Sequence, residues 1–120
     1  NIPLEVFIQV NISGEVTKFG CKPDGALSLA KTVCQFPSLR LKGLMTIAPF
    51  GEDPEQARPH FRRLRLLRDD VQTQLKDSSL VTPHSLLLLS MGMSGDFEVA
   101  IEEGADFVRV GTAIFKGQGA

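Results

Sequence analysis

The chain has neither tryptophan nor tyrosine, so no phenolic hydroxyl is available for proton transfer. Cysteine occurs only as Cys21 and Cys34, which fit no metal-ligand or CxxC spacing. Reduced, buried or half-buried thiols are expected, and these point to a cytoplasmic setting. The two histidines, His60 on a charged helix and His84 after a proline, read as surface or core residues. No Ser–His–Asp set, metal-ligand spacing or P-loop can be assembled, and the acidic residues are too scattered to single out an acid–base pair. The longest apolar run, Leu86 to Leu89 with its neighbours, falls far short of the roughly 20 residues needed to cross a bilayer. A formal net charge of -1 provides no field for nucleic acid or an anionic membrane. No signal-peptide pattern opens the chain. Asn1-Ile2-Pro3-Leu4 lacks a methionine and leads at once into a strand, so a piece of a longer chain is expected.

What remains is ordinary globular material: 120 residues, 42% hydrophobic and 22% charged, enough for one modest domain. Glu5 to Asn11 alternates as a strand, with Val6, Ile8 and Val10 on one face and Glu5, Phe7, Gln9 and Asn11 on the other. A loop through Gly14, Glu15, Lys18 and Gly20 follows. A helix is expected from Pro23 or Asp24 to Gln35, with Ala26, Leu27, Ala30, Val33 and Cys34 as its apolar stripe, ended by Pro37. Leu39 to Ile47 holds a second strand.

Asp53-Pro54-Glu55-Gln56 has the signature of a helix start: an N-cap aspartate, proline at the first position and glutamine at the capping-box position. Ala57, Phe61, Leu64, Leu67, Val71 and Leu75 then recur every three or four residues as a buried face. Arg58, Arg62, Arg63, Arg65 and Arg68 occupy the remainder, either as a solvated surface or as a docking patch for an acidic partner. Ser85 to Ser90 is a strand apolar enough to be covered on both sides. Ser94 to Glu103 reads as a helix closed by Gly104. Phe107 to Val110 is a fourth strand, and a last helix opens at Thr112. Strands alternating with helices at this spacing imply a parallel sheet with right-handed crossovers. The fold class is therefore α/β, and four strands are half of a (β/α)8 TIM-type barrel.

Two strand ends in the last third run into small residues and then into helix-forming sequence. Barrels build phosphate sites from such loops and helix N-termini. Ser94 reads either as a helix cap or as a hydroxyl donor to a phosphate, and Gly111 with Thr112 adds a close backbone approach and a second hydroxyl. Arg109 shares the Phe107 side of its strand. If that side faces the barrel interior, its guanidinium needs a partner, either an inward acid such as Glu5 or a ligand.

The runs Gln9-Val10-Asn11 with Glu15, Lys18 and Gly20, Leu41-Lys42-Gly43-Leu44-Met45, Ser90-Met91-Gly92-Met93-Ser94 and Val108-Arg109-Val110-Gly111-Thr112-Ala113-Ile114-Phe115 resemble the pyridoxal phosphate homeostasis protein family. The resemblance covers nearly all of residues 1–120 and corresponds to the C-terminal half of that family's single barrel, which is similar to the barrel domain of alanine racemases. It implies binding of pyridoxal 5′-phosphate (PLP) through a lysine Schiff base, a role in vitamin B6 and amino-acid homeostasis, and no established turnover. It further implies a monomeric full-length protein with possible regulatory protein partners. An amino-acid racemase of related fold is the alternative.

By this resemblance Ser94, Gly111 and Thr112 hold the phosphate, Arg109 faces the pyridine nitrogen, Met91, Gly92 and Met93 line the pocket, and Lys18 lies near the cofactor edge. A charged arginine beside the ring nitrogen opposes its protonation and makes the ring a weaker electron sink. Two departures stand out. The family's Schiff-base lysine belongs to an early strand, which would precede Asn1. Lys116, followed by Gly117, stands where the family usually has glycine.

Overall fold

In a computed structural model of the chain, residues 2–15, 19–49, 51–77 and 86–109 are described. Three strands, β1 (Leu4–Gln9), β2 (Leu39–Thr46) and β3 (Leu88–Met91), form one sheet in the order β1-β2-β3, with both pairings parallel. The helices are α1 (Ala26–Cys34), α2 (Arg58–Lys76) and α3 (Phe97–Glu102). α1 packs on β1 and β2, α2 packs on β2 and β3, and α2 touches both α1 and α3. Parallel strands in sequential order, with their crossover helices in one layer, make a segment of a (β/α) barrel.

Alternation decides which face is covered. Ile8 and Val10 on the first strand and its continuation, Leu44 on β2, and Leu89 and Met91 on β3 are all buried beneath the helices. The expected stripe of α2 supplies the other half of this core: Ala57, Phe61, Leu64, Val71 and Leu75 are buried, and Leu67 packs against them. Each fully buried large side chain contributes about 1.5–3 kcal/mol relative to exposure. Ala26 and Ala30 let α1 sit close to the sheet, while Leu27, Val33 and Cys34 complete its stripe.

Several boundaries differ from expectation. Both α1 and α2 begin as 3-10 turns, Pro23–Gly25 and Pro54–Ala57, each with proline in its first turn. Asp53 does cap its turn, its Oδ1 accepting from the Glu55 N–H at 3.0 Å. The helix expected from Ser94 starts at Phe97, because Asp96 occupies the cap position and Ser94 to Asp96 form a turn. That turn is closed in both directions: the Met93 N–H donates to Asp96 Oδ1 at 2.7 Å and the Asp96 N–H to the Met93 carbonyl at 3.1 Å. The chain leaves α3 through Gly104 at φ +102, as expected of the residue after a helix. The fourth strand is reduced to a parallel bridge between Ser90 and Phe107, and Val110 and the helix expected from Thr112 lie outside the described residues.

A register shift interrupts the middle of the β1–β2 pairing. Val6 pairs with Leu41 but Phe7 with Gly43, leaving Lys42 as an extra residue. Its Nζ reaches Glu5 Oε1 at 3.3 Å and lies 5.9 Å from the centre of the Phe107 ring. Phe107 in turn meets Phe7 edge-on at 5.8 Å. Gly43 is needed here for space, since a Cβ would land on the Leu88 carbonyl.

Candidate functional site

The C-terminal ends of parallel strands carry the loops, and the expected site residues that are described, Met91 to Ser94 and Arg109, lie at that end of β3 and just beyond it. Met91 is the last residue of β3 and is only 2% exposed, its side chain belonging to the core beneath the helices. Gly92 follows at φ +110, and a Cβ on it would lie 2.7 Å from Ala100 Cβ and 3.1 Å from Val108 Cγ1. No other residue type lets the chain turn here while α3 stays packed on it. The Gly92 carbonyl accepts from the Arg109 N–H at 2.8 Å, which brings the two motifs side by side.

Met91, Gly92, Met93 and Arg109 line a small hollow at this end of the sheet. Its other lining residues are Met45 and Thr46 at the end of β2, Ile47 just beyond it, and Ser90 of β3. None of these four was expected in the site, although Met45 and Ser90 fall within the runs that carry the resemblance. The signal was present in strand register, since Met45 pairs with Ser90 and Thr46 with Met91. Thr46 is buried, and its hydroxyl donates to the Val10 carbonyl at 2.7 Å, which ties the tops of β1 and β2 together.

Arg109 is exposed rather than buried. The internal acid considered for it, Glu5, belongs to Lys42 instead. Ser94 is also exposed, and its hydroxyl caps no helix, because the cap position falls on Asp96. The use that competed with ligand binding is therefore absent. Beside this turn a cleft of about 210 Å³ opens between Ile47–Pro49, Asp53 and Pro54 on one side and Met93, Gly95 and Asp96 on the other. Lys18, Gly111 and Thr112 lie outside the described residues.

The described residues on either side of the Lys18 segment are anchored. Asn11 Oδ1 accepts from the Gly14 N–H and the Ser13 hydroxyl, both at 3.1 Å, and its Nδ2 donates to the Glu15 carbonyl at 2.7 Å. Val10 and Cys21 then form a parallel bridge, so the loop returns along the outer edge of β1.

The arginines of α2 all have partners within the chain. Arg63 donates to the Ile12 carbonyl at 3.1 Å, and Arg68 to the Leu87 carbonyl at 3.0 Å. Arg58, Arg62 and Arg65 converge on Glu103, whose side chain is 6% exposed. The Arg58 hydrogen bond is the main cause holding the Glu103 carboxyl below the ordinary glutamate range, against the opposing effect of burial. The same arginine lowers Glu55. Burial, aided by the charge of Arg63, shifts His60 toward its neutral form, and its Nδ1 is buried with no hydrogen-bond partner among the described residues. Both cysteines are free thiols. Among the described residues no group of three or more His, Cys, Asp or Glu could hold a metal ion, and no helix is long and apolar enough to cross a membrane.

A parallel half-barrel with its motif residues at the C-terminal strand ends defines a barrel domain of the racemase type. The family model described as "Alanine racemase, N-terminal domain" matches residues 1–119, and the chain belongs to that family. Among curated proteins it is 49% identical over 115 residues to the pyridoxal phosphate homeostasis protein of Aquifex aeolicus, covering 96% of this chain and 47% of that one. A crystal structure of an unknown protein from Bifidobacterium adolescentis superposes with a TM-score of 0.79 at 41% identity, covering 94% of this chain and 43% of that one. PipY of Synechococcus elongatus, solved with PLP bound, superposes at 0.72 with 28% identity, covering 91% and 47%. The chain thus spans about half the length of the relatives it matches.

Proposed function

We propose that these residues are the C-terminal half of a single PLP-binding barrel, and that the whole protein carries PLP in vitamin B6 and amino-acid homeostasis without turnover of its own. The observation that carries this reading is the convergence of Met91, Gly92, Met93 and Arg109 on one hollow at the C-terminal strand ends. The donor set fits the group. Arg109 supplies an exposed permanent cation and Ser94 a hydroxyl free of capping duty. In this proposal Ser94, Gly111 and Thr112 hold the phosphate, Arg109 faces the ring nitrogen, and Lys18 lies toward the cofactor edge.

When bound, PLP supplies an aldehyde that captures amines and a ring that withdraws electrons. Arg109 opposes protonation of the ring nitrogen, and that suits carriage or racemase-like chemistry better than transamination. The lysine that anchors the cofactor is proposed to precede Asn1. Amino-acid racemization by a related barrel is the second reading. It needs a second acid–base group, and the chain has no tyrosine to provide one. The free thiols support a cytoplasmic setting. The full-length protein is proposed to be a monomer, and a regulatory protein partner would dock away from the arginines of α2, which are engaged internally.

The test uses the full-length protein. It should show visible absorbance from lysine-bound PLP, whereas residues 1–120 alone should not; a band from the latter would overturn the assignment of the lysine. Ser94→Ala with Thr112→Ala removes two hydrogen bonds to a charged group, each about 1.5–3 kcal/mol, so PLP retention should weaken by roughly 100-fold or more. Retention equal to wild type would remove the phosphate role. Measurable racemization of L-alanine would favour the second reading.

A further inference from the structure

α3 has six residues, too few to fix its own position, yet it carries the Ser94–Asp96 turn ahead of it. Its far end is held by charge. Glu103 accepts from Arg58 Nη1 at 2.8 Å and from Arg62 Nη2 at 3.3 Å, and Arg65 Nη1 lies 3.3 Å from its other carboxylate oxygen. Arg65 also donates to the Glu103 backbone carbonyl at 3.3 Å. Positions 58, 62 and 65 lie on one face of α2, because residues three and four apart are neighbours on a helix.

Arg58 extends the network to Glu102 on α3 and back to Glu55 in the 3-10 turn before α2. α3 also packs against that turn. Pro54 shares one cleft with Gly95 and Asp96 and an adjoining one with Ser94 and Phe97. Both ends of α3 are therefore referenced to the same 3-10 turn and helix. A buried ion pair adds little net stability over an apolar pair, and its better attested use is to fix one register among several. Here that register is the rotation and depth of α3, and with it the placement of the turn.

We infer that Glu103 is a positioning residue for the cofactor site: its arginine contacts set α3 on α2 and so hold the Ser94–Asp96 turn where it meets the phosphate. This rests on the phosphate reading above, and the two are separated by experiment. In the full-length protein, PLP retention and the 31P shift of bound PLP are measured for Ser94→Ala, Glu103→Gln and the double variant, with thermal melting alongside. Glu103→Gln should weaken retention by about 10-fold, in the range that lost supporting hydrogen bonds reach at other ligand sites, and should move the 31P shift. Its loss should be less than additive with that of Ser94→Ala, because both act on one contact.

A lower melting temperature with retention and 31P shift unchanged would overturn the positioning role while leaving the phosphate reading intact. So would strict additivity. If Ser94→Ala alone leaves retention at the wild-type value, the phosphate reading fails and this inference falls with it. Should Glu103→Gln not fold, Arg62→Gln removes one donor and keeps Arg58 and Arg65; a smaller loss of the same kind is expected, and no loss counts against the proposal.

Discussion

Gly92→Ala tests whether the packing between β3 and α3 is as tight as its geometry indicates. Two costs add. Holding an L-residue at φ +110 costs about 1–3 kcal/mol. The new methyl would meet Ala100 Cβ at 2.7 Å and Val108 Cγ1 at 3.1 Å, and overpacking of this kind costs typically about 1–3 kcal/mol. The sum is about 2–6 kcal/mol, a large part of the roughly 5–15 kcal/mol that holds a domain together. In the full-length protein, about twice as long, each kcal/mol moves the melting temperature by about 2–4 °C, so a fall on the order of 10 °C is expected. Gly95→Ala is the control, because nothing lies within 4 Å of its Cβ position and its φ is not positive. That change should stay within about 0.5 kcal/mol of wild type. Thermal unfolding of both variants decides the matter. If Gly92→Ala melts within 2 °C of Gly95→Ala, on the order of the shift expected for the control alone, the packing around Gly92 is not tight.

Two further outcomes follow from the titrating groups. Glu103 has a folded pKa below its unfolded value, so its stabilisation is fully present above about pH 4.3 and is lost as pH falls through the folded value. Arg58, Arg62 and Arg65 face it, with Glu55 and Glu102 on the same network. Urea midpoints measured from pH 6 down to about pH 3 should therefore fall less steeply for Glu103→Gln than for wild type, and parallel slopes would contradict the assignment. Burial raises the thiol pKa of Cys21 and of Cys34, so alkylation near neutral pH should be slower in the folded protein than in urea. Equal rates would show that the thiols are not shielded.

The architecture was legible because its signals are local. Pro54 marks the entry to the helical segment of α2, and Phe61, Leu64, Val71 and Leu75 recur at helical spacing and are all buried. Alternation along the first strand put Val6, Ile8 and Val10 on one face, of which Ile8 and Val10 are buried and Val6 is half-buried. The errors have physical causes that spacing does not carry. Ser94 resembles a helix cap, but Asp96 binds the Met93 N–H and delays the helix until Phe97. Arg58, Arg62 and Arg65 resemble a solvated face because their shared target, Glu103, lies some forty residues along the chain. Lys42 takes Glu5 away from Arg109 through a register shift that no periodicity reveals. Among the eight residues lining the hollow, Met45, Thr46 and Ser90 are brought together by the register of β2 against β3, and Ile47 directly follows β2.

The contact between Phe7 and Phe107 has a meaning for barrel closure. Phe107 runs beside β3, so the two rings start from strands three places apart, roughly 14 Å in a flat sheet at about 4.8 Å per step. Their centroids nevertheless stand 5.8 Å apart. The pair acts as a chord drawn across an arc: it can form only if the sheet is already bent, and once formed it resists flattening. Curvature is therefore built into this segment of sheet before any further strand is added.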